Sequence, residues 1–345
     1  MTTTSRVPAI ATASNGATPT RARRHRGTLA IAALATLALL LPTPAAQAAD
    51  APASCPPAAL PLNGERIQAG LRDATDHGFL WRIVKDGRTS YLYGTIHAAR
   101  VEWMFPGPRT LAALAASDTL ALELDVLDAD IQARLAASAR ARPGEALPAD
   151  LAHRIEARMS AECLDPAALR GFAPEFQIAT LAVLAARRDG FDPAYAIDLV
   201  LALVARGAAK PTVSLETPEL QMAALRLPSR AATIEFVQSG LDDLESGRAG
   251  PLLVRMIKAW TDGDLADLEG YERWCECLRN DGERAAMRRL LDDRNPALAT
   301  AIDAAHSQGR RVFAAVGSLH MIGPAGLPAL LTQRGYRVER VRFGP

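Results

Sequence analysis

The sequence predicts an α/β fold: a central mixed sheet flanked by helices, with a large helical insertion at 218–310. Two observations carry that expectation. First, the apolar run at 89–97 (TSYLYGTIH) ends in a glycine, two residues and a histidine, and 312–320 (VFAAVGSLH) repeats the pattern near the other end of the chain. In packed α/β sheets, ligands and catalytic groups gather outside the carboxyl ends of the strands. His97 and His320 would then meet at one edge, each after a glycine that lets the backbone bend. Second, long stretches with helical apolar periodicity separate the β-rich runs. A single G-x-x-H arises often by chance; the signal is the matched pair, each after a β-rich run.

Residues 1–48 read as a signal peptide. Arg21, Arg23, Arg24 and Arg26 precede an apolar run at 29–41, and Ala46-Gln-Ala48 supplies an A-x-A cleavage pattern near Ala48 and Ala49. The run has 13 residues, short of the roughly 20 needed to span a bilayer. The expected location is periplasmic or secreted, with membrane contact only through the signal peptide before cleavage. The full chain has 39 basic and 38 acidic residues. The leader holds five arginines and no acids, so the mature part carries 34 against 38, a net −4. The basic cluster is a targeting feature, and nothing suggests a nucleic-acid surface. Residues 49–77 read as an N-terminal extension and 78–345 as one α/β domain, since no repeat or low-complexity linker divides it.

Cys55, Cys163, Cys275 and Cys277 all lie beyond the leader and would meet an oxidising compartment. Cys275 and Cys277 are two apart, so a direct bridge would need a strained tight loop. The expectation is that Cys55 and Cys163 bridge to the Cys275/Cys277 pair, in either order. Zinc fits poorly, because C-x-C lacks the usual two- to four-residue gap.

The elements follow in order. Residues 78–84 (GFLWRIV) form a strand, Asp86-Gly87 a tight hairpin turn, and 89–94 the returning strand. Residues 108–117 have good helix formers at helical spacing. At 119–125 (TLALELD), Leu120, Leu122 and Leu124 share one strand face, and Glu123 and Asp125 share the other. The competing reading there is an edge strand with a wet face. Helices are expected at 129–141, 148–162, 175–188 and 192–206, the last with Asp192 as N-cap and Pro193 at its first position. Asp198 interrupts the apolar run 196–204 and reads as a solvent-facing helix position as readily as a functional one. Residues 210–216 (KPTVSLE) make another strand, ending in Glu216. The block 218–310 is helical, with breaks at Pro228, Gly250-Pro251 and Gly263; Asn295-Pro296 opens its last helix, with Asn295 as N-cap. A helix near 326–335 and a strand at 336–343 close the chain.

Four strand ends therefore carry polar groups: His97, Glu123 with Asp125, Glu216, and His320. Two imidazoles with carboxylates suit zinc, manganese, cobalt or ferrous iron. Such an ion could polarise a carbonyl and acidify a bound water while a carboxylate moves the proton. There is no G-x-S-x-G elbow, P-loop or dinucleotide fingerprint.

Seven pieces, in order, carry a family resemblance: YGTIH at 93–97, LELD at 122–125, YAID at 195–198, KPTVSLET at 210–217 with Gln221, Trp260-x-x-Gly-Asp264, Arg294-Asn295, and VGSLH at 316–320 with Gly323. The chain resembles the TraB/PrgY/GumN family, in particular its GumN-like secreted bacterial members, and is distantly similar to the Tiki ectodomain proteases. Tyr195-Ala stands where Tyr-Gly is more usual, and Ser-Leu-His where Gly-His-Leu-like variants are frequent; neither change removes an expected ligand. The resemblance implies a fold like that of erythromycin-esterase-type and ChaN-like proteins. It also implies an active centre of His97, His320 and Glu123, with Arg294 as a charge stabiliser. The Tiki relatives imply metal-dependent cleavage of a peptide or other small envelope substrate, with manganese or cobalt favoured over zinc. In that reading His97 and His320 are metal ligands, Glu123 is ligand or base, and Asp125 and Glu216 orient a histidine from behind. Two other readings stay open: a non-catalytic binder of a peptide or envelope component, and a metal-free esterase with His97 as base beside a carboxylate.

Overall fold

The computed structural model describes residues 55–61, 63–275, 278 and 280–343, together with Met1. Apart from Met1, the expected signal peptide and its cleavage site lie outside the described residues, as does Cys277.

The sheet is built from its hairpin outward. β1 (Phe79–Lys85) and β2 (Arg88–Thr95) pair antiparallel, and the turn between them holds Asp86 and Gly87 at φ 51° and 72°. Two successive positive φ values match the right-handed twist of the flanking strands, which is why Asp-Gly sits there. β3 (Thr119–Leu122), β4 (Thr212–Ser214), β5 (Val312–Gly317) and β6 (Arg337–Val341) complete a six-stranded sheet in the order β4-β3-β5-β2-β1-β6. β2, β5, β3 and β4 run parallel, while β6 joins the far side of β1 antiparallel. The sheet is thus mixed, with the two strands of the repeated motif as direct neighbours.

Before the insertion lie α1 (Gly64–Asp73), α2 (Pro108–Ala115), α3 (Ala129–Ser138), α4 (Ala149–Ala161), α5 (Pro174–Leu184) and α6 (Ile197–Gly207). The insertion contributes α7 (Pro218–Leu225), α8 (Arg230–Glu245), α9 (Ala249–Thr261), α10 (Leu265–Glu269), α11 (Tyr271–Trp274), α12 (Asp281–Leu290) and α13 (Asn295–Ser307); α14 (Leu327–Gln333) precedes β6. One core runs along the sheet through Phe79, Leu92, Leu120 and Phe313. A second packs α4, α5 and α8 through Ile155, Met159, Ile178, Val237 and Leu241. Each such side chain, fully buried, contributes about 1.5–3 kcal/mol.

Three expectations change. The strand at 119–125 stops at Leu122, and all four of its residues are buried, because β3 lies inside the sheet and has no wet face. The helix at 192–206 breaks: Pro193–Tyr195 is a short 3-10 turn capped by Asp192, and α6 starts after an extended Ala196. Tertiary hydrogen bonds set that break, from Ile197 N–H to the Ile96 carbonyl (3.0 Å) and between Ala99 and Asp192. Finally, Cys55 pairs with Cys163, at a Cα separation of 5.7 Å, and not with the Cys275/Cys277 pair. Just past α4 the chain turns with Cys163 at φ 54°, which presents it to the amino-terminal segment. The bridge spans 108 residues, and closing a loop of that size constrains the unfolded chain by roughly 4–5 kcal/mol. Cys275 is also disulfide-bonded.

Candidate active site

β2 and β5 pair in parallel register, Gly94 opposite Val316 and Thr95 opposite Gly317. Both histidines therefore leave the same edge from adjacent strands. His97 follows β2 by two residues, and His320 sits in the 3-10 turn Ser318–Met321 after β5. β3, on the other side of β5, delivers Glu123 one residue past its end. The motif glycines do not adopt positive φ, as a sharp bend would suggest; they allow close approach. A Cβ on Gly317 would lie 3.3 Å from Glu123 Oε1, 3.5 Å from His97 Nε2 and 3.8 Å from His320 Cδ2. His97, Glu123 and His320, far apart in sequence, thus surround a single point.

Each imidazole is held from behind. His97 Nδ1 donates to Asp198 Oδ1 at 2.9 Å, which turns Nε2 toward the pocket. His320 Nδ1 donates to Asn295 Oδ1 at 2.6 Å, while the Asn295 amide nitrogen donates to the Ala325 carbonyl. Neither partner was assigned this role from sequence. Asp198 is buried at the start of α6, not solvent-facing. Asn295 spends its side chain on His320 instead of capping α13, whose N-cap residue is Arg294.

Arg294 binds the remaining groups together. Its Nη2 donates to Glu123 Oε2 (2.6 Å) and to Glu216, Nε to Glu216 Oε2 (3.1 Å), and Nη1 to the Leu290 carbonyl (2.9 Å) and His320 Nε2 (3.3 Å). Those bonds use all five guanidinium donors. Gln221 Nε2 bridges Glu123 Oε2 and Glu216 Oε1, each at 3.1 Å, and Gly317 N–H donates to Glu123 Oε1 at 2.8 Å. Glu216 thus meets Arg294 and Gln221 rather than a histidine. Asp125 turns away, to the Leu127 N–H and Arg206.

The charges follow from these contacts. Burial alone would push the His97 imidazole down, but the Asp198 carboxylate outweighs it, with help from Glu123, and raises it to about 9. Burial and the Arg294 charge push His320 down to about 3, so it is neutral and its Nε2 accepts from Arg294. Burial would raise Glu123, yet Arg294 and the facing imidazoles hold it well below the ordinary carboxylate range. Glu216 is raised by burial in spite of Arg294. The inward face thus offers one titratable nitrogen, His97 Nε2, beside one fixed anion, Glu123 Oε1. No direct hydrogen bond joins the two among the described residues, and both lie close to Gly317.

The donor types and the bonds behind each imidazole are those of a metal site. Two of the inward atoms are already engaged. Arg294, itself fully coordinated, holds Glu123 Oε2 and His320 Nε2, and Gly317 holds Glu123 Oε1. Among the described residues no group of three or more His, Cys, Asp or Glu side chains is placed to hold an ion. As arranged, His97 Nε2 and the second lone pair of Glu123 Oε1 stand open, while His320 Nε2 and Glu123 Oε2 face Arg294.

The fold and site define a mixed α/β protein with a buried histidine–carboxylate–arginine centre at the carboxyl edge of its parallel strands. The chain belongs to the TraB/PrgY/gumN family, which it matches over residues 79–340. No curated protein matches it, and no solved structure does. Family membership and the Cys55–Cys163 disulfide support an extracellular or periplasmic location. No helix among the described residues is long and apolar enough to cross a membrane.

Proposed function

We propose that this chain is an extracytoplasmic hydrolase that activates water with the His97–Asp198 pair. The observation that carries the reading is the 2.9 Å bond from His97 Nδ1 to Asp198, which leaves Nε2 on the pocket beside Glu123. A water beside Gly317 would lie within reach of both His97 Nε2 and Glu123 Oε1. When its ring is neutral, in a fraction of molecules that grows as pH rises toward 9, His97 takes one of the water's protons as the oxygen attacks an acyl carbon, and Asp198 stabilises the resulting imidazolium. Glu123 accepts the second hydrogen and orients the attack. The imidazolium then returns the proton to the leaving group, so the ring ends as it began. Arg294 fixes Glu123 and keeps it ionised. Membership among GumN-like secreted proteins, the distant similarity to Tiki proteases and an erythromycin-esterase-like or ChaN-like fold belong to this same proposal. They favour a peptide or another small envelope substrate.

A second reading is supported by the hydrogen bonds behind both imidazoles: His97, Glu123 and His320 would hold manganese, cobalt or zinc once Arg294 had withdrawn. One experiment separates the two. Turnover of a panel of small esters and peptides is measured before and after exhaustive chelation, for wild type and His97→Gln. The proposal expects chelation to leave turnover unchanged and His97→Gln to lower it at least a hundredfold, the scale of general-base catalysis. Activity lost on chelation and restored by an ion would favour the metal reading, and no turnover by wild type would favour a binding protein.

A further inference from the structure

The pocket has two unlike sides. The charged centre supplies its polar lining, and the helical block supplies apolar lining: Met256 and Trp260 one turn apart on α9, Leu268 of α10, and Leu291 just beyond α12. Ile96 and Leu319 also line it, and the space open to a water-sized molecule is about 30 Å³. Trp260 is fixed, its Nε1 donating to the Gly94 carbonyl at 2.8 Å. Met256, flexible and unbranched, is the adjustable part of the wall.

Thr95 also lines the pocket. Only 2% of Thr95 is exposed, and its Oγ1 is buried with no hydrogen-bond partner. Buried hydroxyls are nearly always paired, and leaving one unpaired costs about 1–3 kcal/mol. The neighbouring Ser318 hydroxyl does not satisfy it, since that group donates to the Thr95 carbonyl at 2.7 Å. The residue is therefore an unpaired donor among the groups that line the pocket, which also include the open His97 Nε2.

We propose that the pocket binds an uncharged acyl group, its carbonyl oxygen accepting from the Thr95 hydroxyl and its aliphatic chain lying against the Met256–Trp260 wall. A charged chain would lose its hydration against these side chains with nothing to pair it. This assignment deepens the hydrolase reading by naming the substrate class, and it rests on that reading for what happens to the acyl carbon.

The test uses binding, so it does not depend on turnover. Straight-chain primary amides from acetamide to octanamide, and carboxylates of the same lengths, are titrated into the full mature chain by calorimetry. Amide affinity should rise about fourfold per added methylene until the wall is covered, and above pH 9, where His97 is neutral, the carboxylates should bind more weakly at every length. Thr95→Val, which keeps the shape, should weaken all the amides about three- to tenfold, and Thr95→Ser should restore them. Met256→Trp should make the gain stop at a shorter chain. Affinity independent of chain length, or Thr95→Val binding like wild type while melting at a higher temperature, would overturn the proposal and mark Thr95 as an unpaired core hydroxyl. Amides that bind as expected to a protein that hydrolyses nothing would sink the hydrolase reading and leave this one standing. Measured hydrolysis without chain-length dependence would do the reverse.

Discussion

At the residue scale, the two histidines have opposite electrostatic fates although their motifs match. His97 faces Asp198 and is raised to about 9; His320 faces Asn295 and Arg294 and is lowered to about 3. The sign of each effect on stability follows from the unfolded value near 6.5. The His97–Asp198 pair contributes fully below about 6.5 and is lost as pH rises through about 9. His320, buried neutral, loses stability as pH falls from about 6.5 toward 3, because only the unfolded chain takes up that proton. Each effect is on the order of a few kcal/mol. Melting measured across pH should show the advantage of wild type over His97→Gln shrinking between pH 6.5 and 9.5; a constant difference would contradict the pairing. His97, Glu123 and His320 were legible in the sequence because strand ends mark them. Asp198 and Asn295 were not, since each sits at a helix start, where Asp and Asn have a local reason to be. The available clues were an acid interrupting the apolar run 196–204 and an asparagine beside Arg294.

At the element scale, the site depends on a parallel register that no local pattern encodes. β5 lies between β2 and β3, so one strand places Gly317 against residues delivered by both neighbours. The hairpin was readable from Asp86-Gly87, and the β-rich runs from their composition. The early stop of β3 and the break at Ala196 were not, because both are set by partners distant in sequence. Gly317→Ala tests the arrangement. The added methyl would stand 3.3 Å from Glu123 Oε1 and 3.5 Å from His97 Nε2, crowding the space in which the water must sit. Turnover should fall at least tenfold while the melting temperature drops by only a few degrees, the effect of roughly 1 kcal/mol. Wild-type turnover in this variant would place the reacting water elsewhere.

At the scale of the whole molecule, the sheet supplies the proton-transfer groups, and the helical block supplies Arg294, Asn295 and the apolar wall. The order of elements announced a sheet with a long helical insertion, but not that the insertion folds back over the strand ends. Disulfide connectivity was equally hidden: spacing argued against a Cys275–Cys277 bridge, whereas Cys55–Cys163 depends on where α4 ends in space. The division of labour converges on His97, whose position on β2, partner on α6 and neighbour on β3 together set its affinity for a proton. The most direct measurement is kcat/KM against pH for chelated wild type and for Asp198→Asn. If neutral His97 is the base, wild-type kcat/KM should climb about tenfold per pH unit and level off near pH 9. In Asp198→Asn the carboxylate that raises His97 is gone, burial dominates, and the midpoint should move to lower pH on a reduced maximum. A flat profile, or the same midpoint in both proteins, would contradict the account.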